Sequence, residues 1–529
     1  MEALHVYDTT LRDGAQQEGL NLSVSDKLAI AGLLDDLGVD FIEGGWPGAN
    51  PKDTEFFERA KTELRLRTAT LAAFGATRRA GGTAADDPLV RALVDSGASV
   101  VCLVAKSHVR HVEEALRTTL DENLAMVRDT VSHLVGQGRR VFLDAEHFFD
   151  GWHLDREYAL SVVRTAHEAG AEVVVLCDTN GGMLPHQVEQ VVTDVLASTG
   201  ARIGAHCHND TGCAAANSVA AVRAGATHVQ GTVNGYGERT GNADLVTVAA
   251  NLQFKLGLDA MAPESFRRAM HIAHAISEVT NVPAYSRQPY VGASAFAHKA
   301  GLHASALKVD PDLYQHMDPA LVGNGMRTLV SDMAGRASIE LKAREAGLDL
   351  SDRPDVVAKV LAEVKDLELR GWTFDAADAT VELMVREALE PGCTHYFEVE
   401  SWRVITDSSG SSGEGQATSE ATVKLRADGS RLIATGEGNG PVNALDHALR
   451  DALTRAYPEI EKLELIDFKV RILDASHGTD AITRVLIETS DGETSWDTIG
   501  VAGSILAASW RALTDGIVHG LLRQGVPIR

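Results

Sequence analysis

The chain has 529 residues, with 49 Lys+Arg against 74 Asp+Glu and a formal net charge of -25. That balance excludes nucleic acid and anionic membrane as expected partners, because both demand a basic footprint, and an aromatic content of 5% leaves little for base stacking. At 44% hydrophobic the chain can bury large cores, while five Cys without a CxxC pair fit a reducing compartment and exclude a disulfide framework or thiolate zinc knuckle.

The N-terminal segment MEALHVYDTT has neither the basic stretch nor the apolar core of a signal peptide. No run of about 18 apolar residues occurs, so no membrane span is expected and a cytoplasmic protein is the reading. Over the first 240 residues, eight short β-rich apolar runs alternate with helix-period stretches: Leu4–Thr10, Val39–Gly44, Arg67–Phe74, Ser99–Ala105, Arg140–Ala145, Glu172–Cys177, Arg202–His206 and His228–Val233. The first intervening helix is expected over Ser25–Leu37, with Ser25 as N-cap and Gly38 just past its end. Eight strands covered on both faces, each followed by a helix, predict a (β/α)₈ TIM barrel over residues 1–260. An open doubly wound sheet would carry GxGxxG after an early strand, and none is present.

From 261 to 390 the alternation stops. Helical pattern dominates, as in Pro263–Val279 and Pro354–Val364, around a Gly/His/Asp-rich loop region at 286–336, and a helical linker domain is expected. Residues 391–529 change character again. Strands at Glu398–Thr406 and Ala421–Arg426 recur as Leu465–Asp474 and Arg484–Thr489, each second strand running into an Asp-Gly turn (Asp428-Gly429, Asp491-Gly492). Gly-containing turns then lead to helices at Ala444–Ala456 and Leu506–Leu522. The sequence thus predicts a C-terminal α+β domain built from a duplicated βββα unit, suited to regulation and dimerisation. Ser408–Gly413 reads as a flexible loop confined to the first copy.

In barrels of this kind the chemistry sits at the C-terminal ends of the strands. Strand one ends in Asp8-Thr9-Thr10-Leu11-Arg12-Asp13-Gly14, strand seven in His206-Cys207-His208, and strand eight leads into Gly235-Tyr236-Gly237-Glu238-Arg239-Thr240-Gly241-Asn242. His206 and His208, two apart on an extended segment, face one side, and Asp13 reaches them because strand one closes against strand eight. Asp13 and the two histidines, joined by the Asn242 amide oxygen, make an O/N set for a divalent ion (Zn²⁺, Mn²⁺ or Mg²⁺) with positions left open. Asn242 reads equally as the cap of a helix starting near Ala243, Asp8 as a group that satisfies backbone or Arg donors, and Cys207 as packing. Arg12 suits an oxyanion or a carboxylate. Glu146, after strand five, suits proton transfer, or is a solvated loop carboxylate, and Thr179, after strand six, suits a carboxylate hydrogen bond. Phe74, Leu103 and Asp144 are the candidates for the substrate pocket.

The string Asp8–Gln16 resembles a signature of the metal-dependent, Claisen-condensing barrel family that includes the 2-isopropylmalate, homocitrate and citramalate synthases, with 3-hydroxy-3-methylglutaryl-CoA lyases as relatives. His206–Asp210 and Gly235–Ala243 resemble its second and third signatures. His298-Lys299-Ala300-Gly301-Leu302-His303-Ala304 resembles a helical-domain motif of the synthases that the shorter lyases lack. The strings at Glu43–Asp53, Asp144–Gly151 and Cys177–Gly182 look most like the bacterial subgroup that forms citramalate. The resemblance implies condensation of acetyl-CoA with a 2-oxo acid. Pyruvate is the acceptor favoured, 2-oxoisovalerate the alternative, and the homocitrate reaction comes third. It further implies that His303, with Tyr314 nearby, joins Glu146 in catalysis by reaching the barrel of a partner subunit in a homodimer with shared active sites. Ordinary packing is the competing reading for Tyr314, and a buried loop histidine for His303. Lys299 and Lys308 are candidates for the CoA phosphates, and isoleucine is the effector the likeness suggests, with Gly440 and Gly503 as backbone contacts.

Overall fold

The computed structural model describes residues 3–408, 417–473 and 481–529. Eight parallel strands close into a barrel: β1 (His5–Asp8), β2 (Phe41–Glu43), β3 (Thr70–Ala76), β4 (Val100–Lys106), β5 (Arg140–Glu146), β6 (Val173–Asp178), β7 (Ile203–Cys207) and β8 (His228–Gly231), each paired with the next and β8 with β1. Each of the eight predicted runs overlaps one of these strands, and β3 to β7 extend one or two residues past the predicted ends. They read as continuous apolar runs because the barrel interior buries one face and the helices cover the other. Tyr7, Phe41 and Phe142 fill the lower interior together with Val100 and Val173, and His5 and His228 pack edge-on against this aromatic layer.

The first helix runs Val24–Leu37 and ends at Gly38 with φ +87°, as expected. Its N-cap is Ser23, not Ser25. The Ser23 hydroxyl accepts the Asp26 N–H and Asp26 accepts the Ser23 N–H, so the capping box satisfies two orphan donors that a cap at Ser25 would leave open. The single helix expected over Pro263–Val279 is two, Pro263–Phe266 and Ala269–Thr280. The break lies where Gly323 (φ +74°) presses on the Arg267 carbonyl: a Cβ there would sit 2.3 Å from that oxygen.

The chain divides into two compact units, one of residues 3–296 with 318–325, the other of the described residues in 297–317 and 326–529. In the second unit a short parallel pair, β9 (Ala297–His298) and β10 (Arg327–Thr328), accompanies helices Gly301–Val309, Arg336–Glu345, Pro354–Leu369 and Asp378–Leu389. The Gly301–Val309 helix falls inside the stretch read from sequence as loop, since its Leu302-His303-Ala304-Ser305-Ala306-Leu307 core is helix-compatible while the glycine-rich flanks hide it.

Two three-stranded antiparallel sheets follow: β11 (Glu398–Ser408), β12 (Ala417–Ala427) and β13 (Ser430–Gly438), then β14 (Glu464–Ile472), β15 (Thr483–Ser490) and β16 (Ser495–Ala502). Helices Pro441–Thr454 and Ile505–Arg523 complete the two βββα copies. The copies share one tight contact. Gly436 and Gly500, 64 residues apart, occupy the same position on the third strand against the following helix; a Cβ would lie 2.4 Å from Ala448 N at the first and 2.0 Å from Ala508 O at the second. The Asp428-Gly429 turn has both residues at positive φ, as a two-residue hairpin needs. The second turn spans four residues, with Asp491 N donating to Thr494 O, so only Gly492 is left-handed. Residues 409–413 of the predicted flexible loop, and Asp474 at the predicted end of β14, lie outside the described residues. No helix among the described residues is long and apolar enough to cross a membrane.

Candidate active site

At the C-terminal mouth of the barrel the chain leaves β1 in a tight turn in which the Thr9 carbonyl accepts the N–H groups of Arg12, Asp13 and Gly14. Asp8 braces this turn, accepting both the Thr10 N–H and the Thr10 hydroxyl at 2.8 Å. Burial pushes its carboxyl up to about 7. Asp8 is therefore a backbone-satisfying group.

The turn delivers Asp13 to the histidines of β7 and its following loop. Asp13 Oδ2 lies 3.1 Å from His206 Nε2 and 3.8 Å from His208 Nε2, and the two imidazole nitrogens are 3.3 Å apart. All three residues are buried. Burial opposes the Asp13 charge, but Arg12 and the two histidines outweigh it and hold the carboxyl well below the usual range. Burial pulls His208 down to about 4, while at His206 the Asp13 carboxylate overcomes burial and raises the imidazole. A β-bridge sets Asn242 beside His208. The Asn242 Nδ2 donates to the Tyr236 carbonyl at 3.0 Å, and its Oδ1 is buried without a partner. The helix that follows begins at Leu245, after Asp244, so Asn242 is not its cap. A carboxylate and two imidazole nitrogens crowded this closely, with an orphaned amide oxygen on the adjoining bridge, fit a divalent cation.

Arg12 is held by side chains of the first three strands. Its Nε donates to Glu43 Oε1 at 2.5 Å, the Tyr7 hydroxyl donates to Glu43 Oε2 at 2.6 Å, and its guanidinium lies 3.9 Å over the Phe74 ring. Glu43 ends β2, so the strand-end rule that located Asp13 points to it too. Glu146 ends β5 and is ion-paired to Lys106, its register partner on β4. The Thr179 hydroxyl oxygen accepts the His147 N–H at 2.9 Å. Arg239 donates to the Thr179 carbonyl at 2.8 Å while gripping Asp210 through both carboxylate oxygens at 2.8 and 2.9 Å.

A cavity of about 440 Å³ brings together Arg12, Asp13, Glu146, Thr179, His206 and His208, with Phe74 and Asp144 in its wall. Of the pocket candidates, Leu103 is buried away from it and its neighbour Val104 lines it instead. Cys207 is buried, and burial raises its thiol, in keeping with packing. His303 and Tyr314 belong to the second unit. There they stack, centroids 4.2 Å apart, with Tyr314 exposed rather than packed and His303 on a helix rather than a loop. Lys299 and Lys308 are ion-paired to Asp375 and Glu340 in the same unit.

The HMGL-like family matches residues 3–275, a span that contains the barrel and this strand-end cluster. The homocitrate synthase post-HMGL domain-like family matches 290–371, and the LeuA allosteric (dimerisation) domain 375–521. A Streptomyces coelicolor protein named (R)-citramalate synthase is 64% identical over 99% of this chain and 98% of its own length. Proteins of the same name from Synechocystis and Aquifex aeolicus are 47% and 45% identical, covering 98% and 99% of this chain and 96% and 98% of theirs. The chain belongs to the HMGL-like family and, within it, to the (R)-citramalate synthases. HMGL-like barrels are metal-dependent, and the dimerisation domain points to a homodimer.

Proposed function

We propose that this protein condenses acetyl-CoA with pyruvate and water to give (R)-citramalate and CoA. The observation that carries the reading is the convergence of Asp13, His206 and His208 beside Arg12 in one cavity, in a chain of this family over its whole length. Asp13, His206, His208 and Asn242 would hold a divalent ion. When bound, that ion supplies Lewis-acid polarisation of the 2-oxo acid and fixes the face it presents.

The chain's own residues do the rest. Thr179 has its hydroxyl oxygen engaged by the His147 N–H, so its proton is available to the pyruvate carboxylate. Glu146 takes a proton from the acetyl methyl, assisted by His303 with Tyr314 from a second copy of the chain. The resulting carbanion attacks the ketone carbon of pyruvate, a carbon–carbon bond forms, and the carbonyl π electrons move to oxygen. Arg12, held by Glu43 and Phe74, faces that developing negative charge, and the alkoxide takes up a proton to give the tertiary hydroxyl as the proton held by Glu146 is released. Water then adds to the thioester carbonyl and the thiolate of CoA leaves, taking up a proton.

In the duplicated module a cavity of about 580 Å³ is lined by Gly440, Val442, Asn443, Leu465 and Phe468. Its wall also carries the charged Asp446, Arg450 and Glu464. Charged groups beside apolar ones suit the two charged ends and the side chain of a branched amino acid, and isoleucine is the proposed effector; Gly503 is not in its wall. The five unpaired cysteines favour work in the cytoplasm. The test is a panel of 2-oxo acids offered with acetyl-CoA while free CoA is followed. Pyruvate is expected to give the highest kcat/KM; preference for 2-oxoisovalerate or 2-oxoglutarate overturns the acceptor. A rate unmoved by isoleucine over a wide concentration range overturns the effector.

A further inference from the structure

His206 can serve as a ligand through Nε2 only if its proton sits on Nδ1. The barrel contains a chain of hydrogen bonds that enforces this. His206 Nδ1 lies 2.9 Å from the Oε1 of Gln230, its register partner on β8. The other end of the same amide, Gln230 Nε2, donates across the barrel interior to Asp144 Oδ1 at 2.9 Å. That oxygen also receives the Cys102 thiol at 3.2 Å. Gln230 is 1% exposed, so water cannot take over either contact.

An amide has one accepting and one donating end. Asp144 Oδ1, already an acceptor for the Cys102 thiol, demands the donating end. The accepting end must then face His206, Nδ1 must carry the proton, and the Nε2 lone pair is left pointing at Asp13 and His208. Rotating the amide by half a turn would put oxygen against oxygen at Asp144 and offer a donor to His206 Nδ1. The proton would move to Nε2, into the cluster. His208 has no such brace, since its Nδ1 is buried without a hydrogen-bond partner. Of the two imidazoles, only His206 has its tautomer set from behind.

We infer that Gln230 is a positioning residue that fixes His206 as an Nε2 ligand, with Asp144 setting which way its amide faces. The inference rests on the reading of Asp13, His206 and His208 as a divalent-metal site. It gives Asp144, which lines the cavity, a part in metal loading besides any contact with the substrate. Partners behind a ligating imidazole typically change metal affinity about tenfold to hundredfold.

The test measures Mn²⁺ and Zn²⁺ dissociation constants of the metal-stripped full-length protein by chelator competition, with the melting temperature of the stripped form as the control on folding. Gln230→Leu keeps the bulk and removes both hydrogen bonds. It is expected to raise the dissociation constants about tenfold to hundredfold while leaving the stripped form folded. Asp144→Asn, which allows the amide to face either way, is expected to raise them by about tenfold and decides the matter should Gln230→Leu fail to fold. Affinities within twofold of the parent for a folded Gln230→Leu, or for Asp144→Asn where Gln230→Leu does not fold, overturn the inference. An unsubstituted protein that binds neither ion overturns the metal reading itself, which is a different failure.

Discussion

Arg12 and Glu43 form a largely buried pair in which each carboxylate oxygen accepts one hydrogen bond: one takes the Arg12 Nε at 2.5 Å and the other the Tyr7 hydroxyl at 2.6 Å. The guanidinium is thereby anchored from behind, over the Phe74 face, with its Nη1 3.4 Å from Asp13 Oδ1 in the cavity wall. Glu43→Gln keeps the shape and weakens the anchor. It is expected to lower kcat by roughly tenfold to hundredfold, as for other groups that orient a catalytic residue, with metal affinity unchanged. Steady-state kinetics beside a metal titration check this; an unaltered kcat would show that Arg12 does not depend on the pair.

Removing a ligand acts differently. His206→Ala and Asp13→Asn are expected to abolish both bound metal and turnover, and a chelator applied to the parent protein should do the same, with activity restored by a divalent ion. Asn242→Ala, which takes away the orphaned amide oxygen beside the cluster, is expected to weaken metal binding by at least about tenfold. Metal content by elemental analysis is the readout, and an active, metal-loaded His206→Ala sinks the ligand assignment.

The opposite end of the barrel predicts acid sensitivity. Burial, reinforced by Arg202 and offset in part by Glu172, lowers His5 to about 4. Burial, with His5, Arg202 and Arg140 beside it, lowers His228 as well. Both ring nitrogens of His228 are buried without partners. The fold thus favours the neutral forms, and at these two histidines the unfolded chain binds more protons than the folded one between pH 6.5 and about 4. The stability that these two neutral imidazoles contribute should be intact above pH 6.5 and should be lost as pH falls through that window. His228→Leu should flatten the dependence of melting temperature on pH there; an unchanged slope would remove His228 from the account.

In the duplicated module, Gly436→Ala and Gly500→Ala should each destabilise, since the added Cβ would meet helix backbone at 2.4 Å and 2.0 Å. Forced overpacking of this kind costs about 1–3 kcal/mol. Chemical denaturation followed by tryptophan fluorescence checks it, and the larger loss is expected at Gly500, where the approach is closer.

How far the sequence discloses this arrangement depends on the range of the interactions. The eight strands are legible because a fully buried parallel strand is an unbroken apolar run. Asp13, His206 and His208 are legible because the barrel fold places strand ends at one mouth. The helix start at Ser23 is misjudged by two residues because Ser23 and Ser25 are equally good caps until the reciprocal bond with Asp26 is seen. Gln230 escapes notice for another reason. It sits inside an apolar run, and its role exists only through the register of β7 with β8 and a contact across the barrel to Asp144. Glu43 likewise acts on a residue 31 positions away. Such pairings are set by closure of the barrel, which no local pattern records.

Every residue that forms or orients the metal-type cluster lies in the first compact unit, from Tyr7 to Asn242, and the helix that covers β8 ends at Leu256. During synthesis this whole set has therefore left the ribosome when about half of the chain is still to be made, and domains generally fold as units in that order. Closure of the barrel can then precede translation of most of the second unit, so the proposed metal site would already be assembled on an unfinished chain.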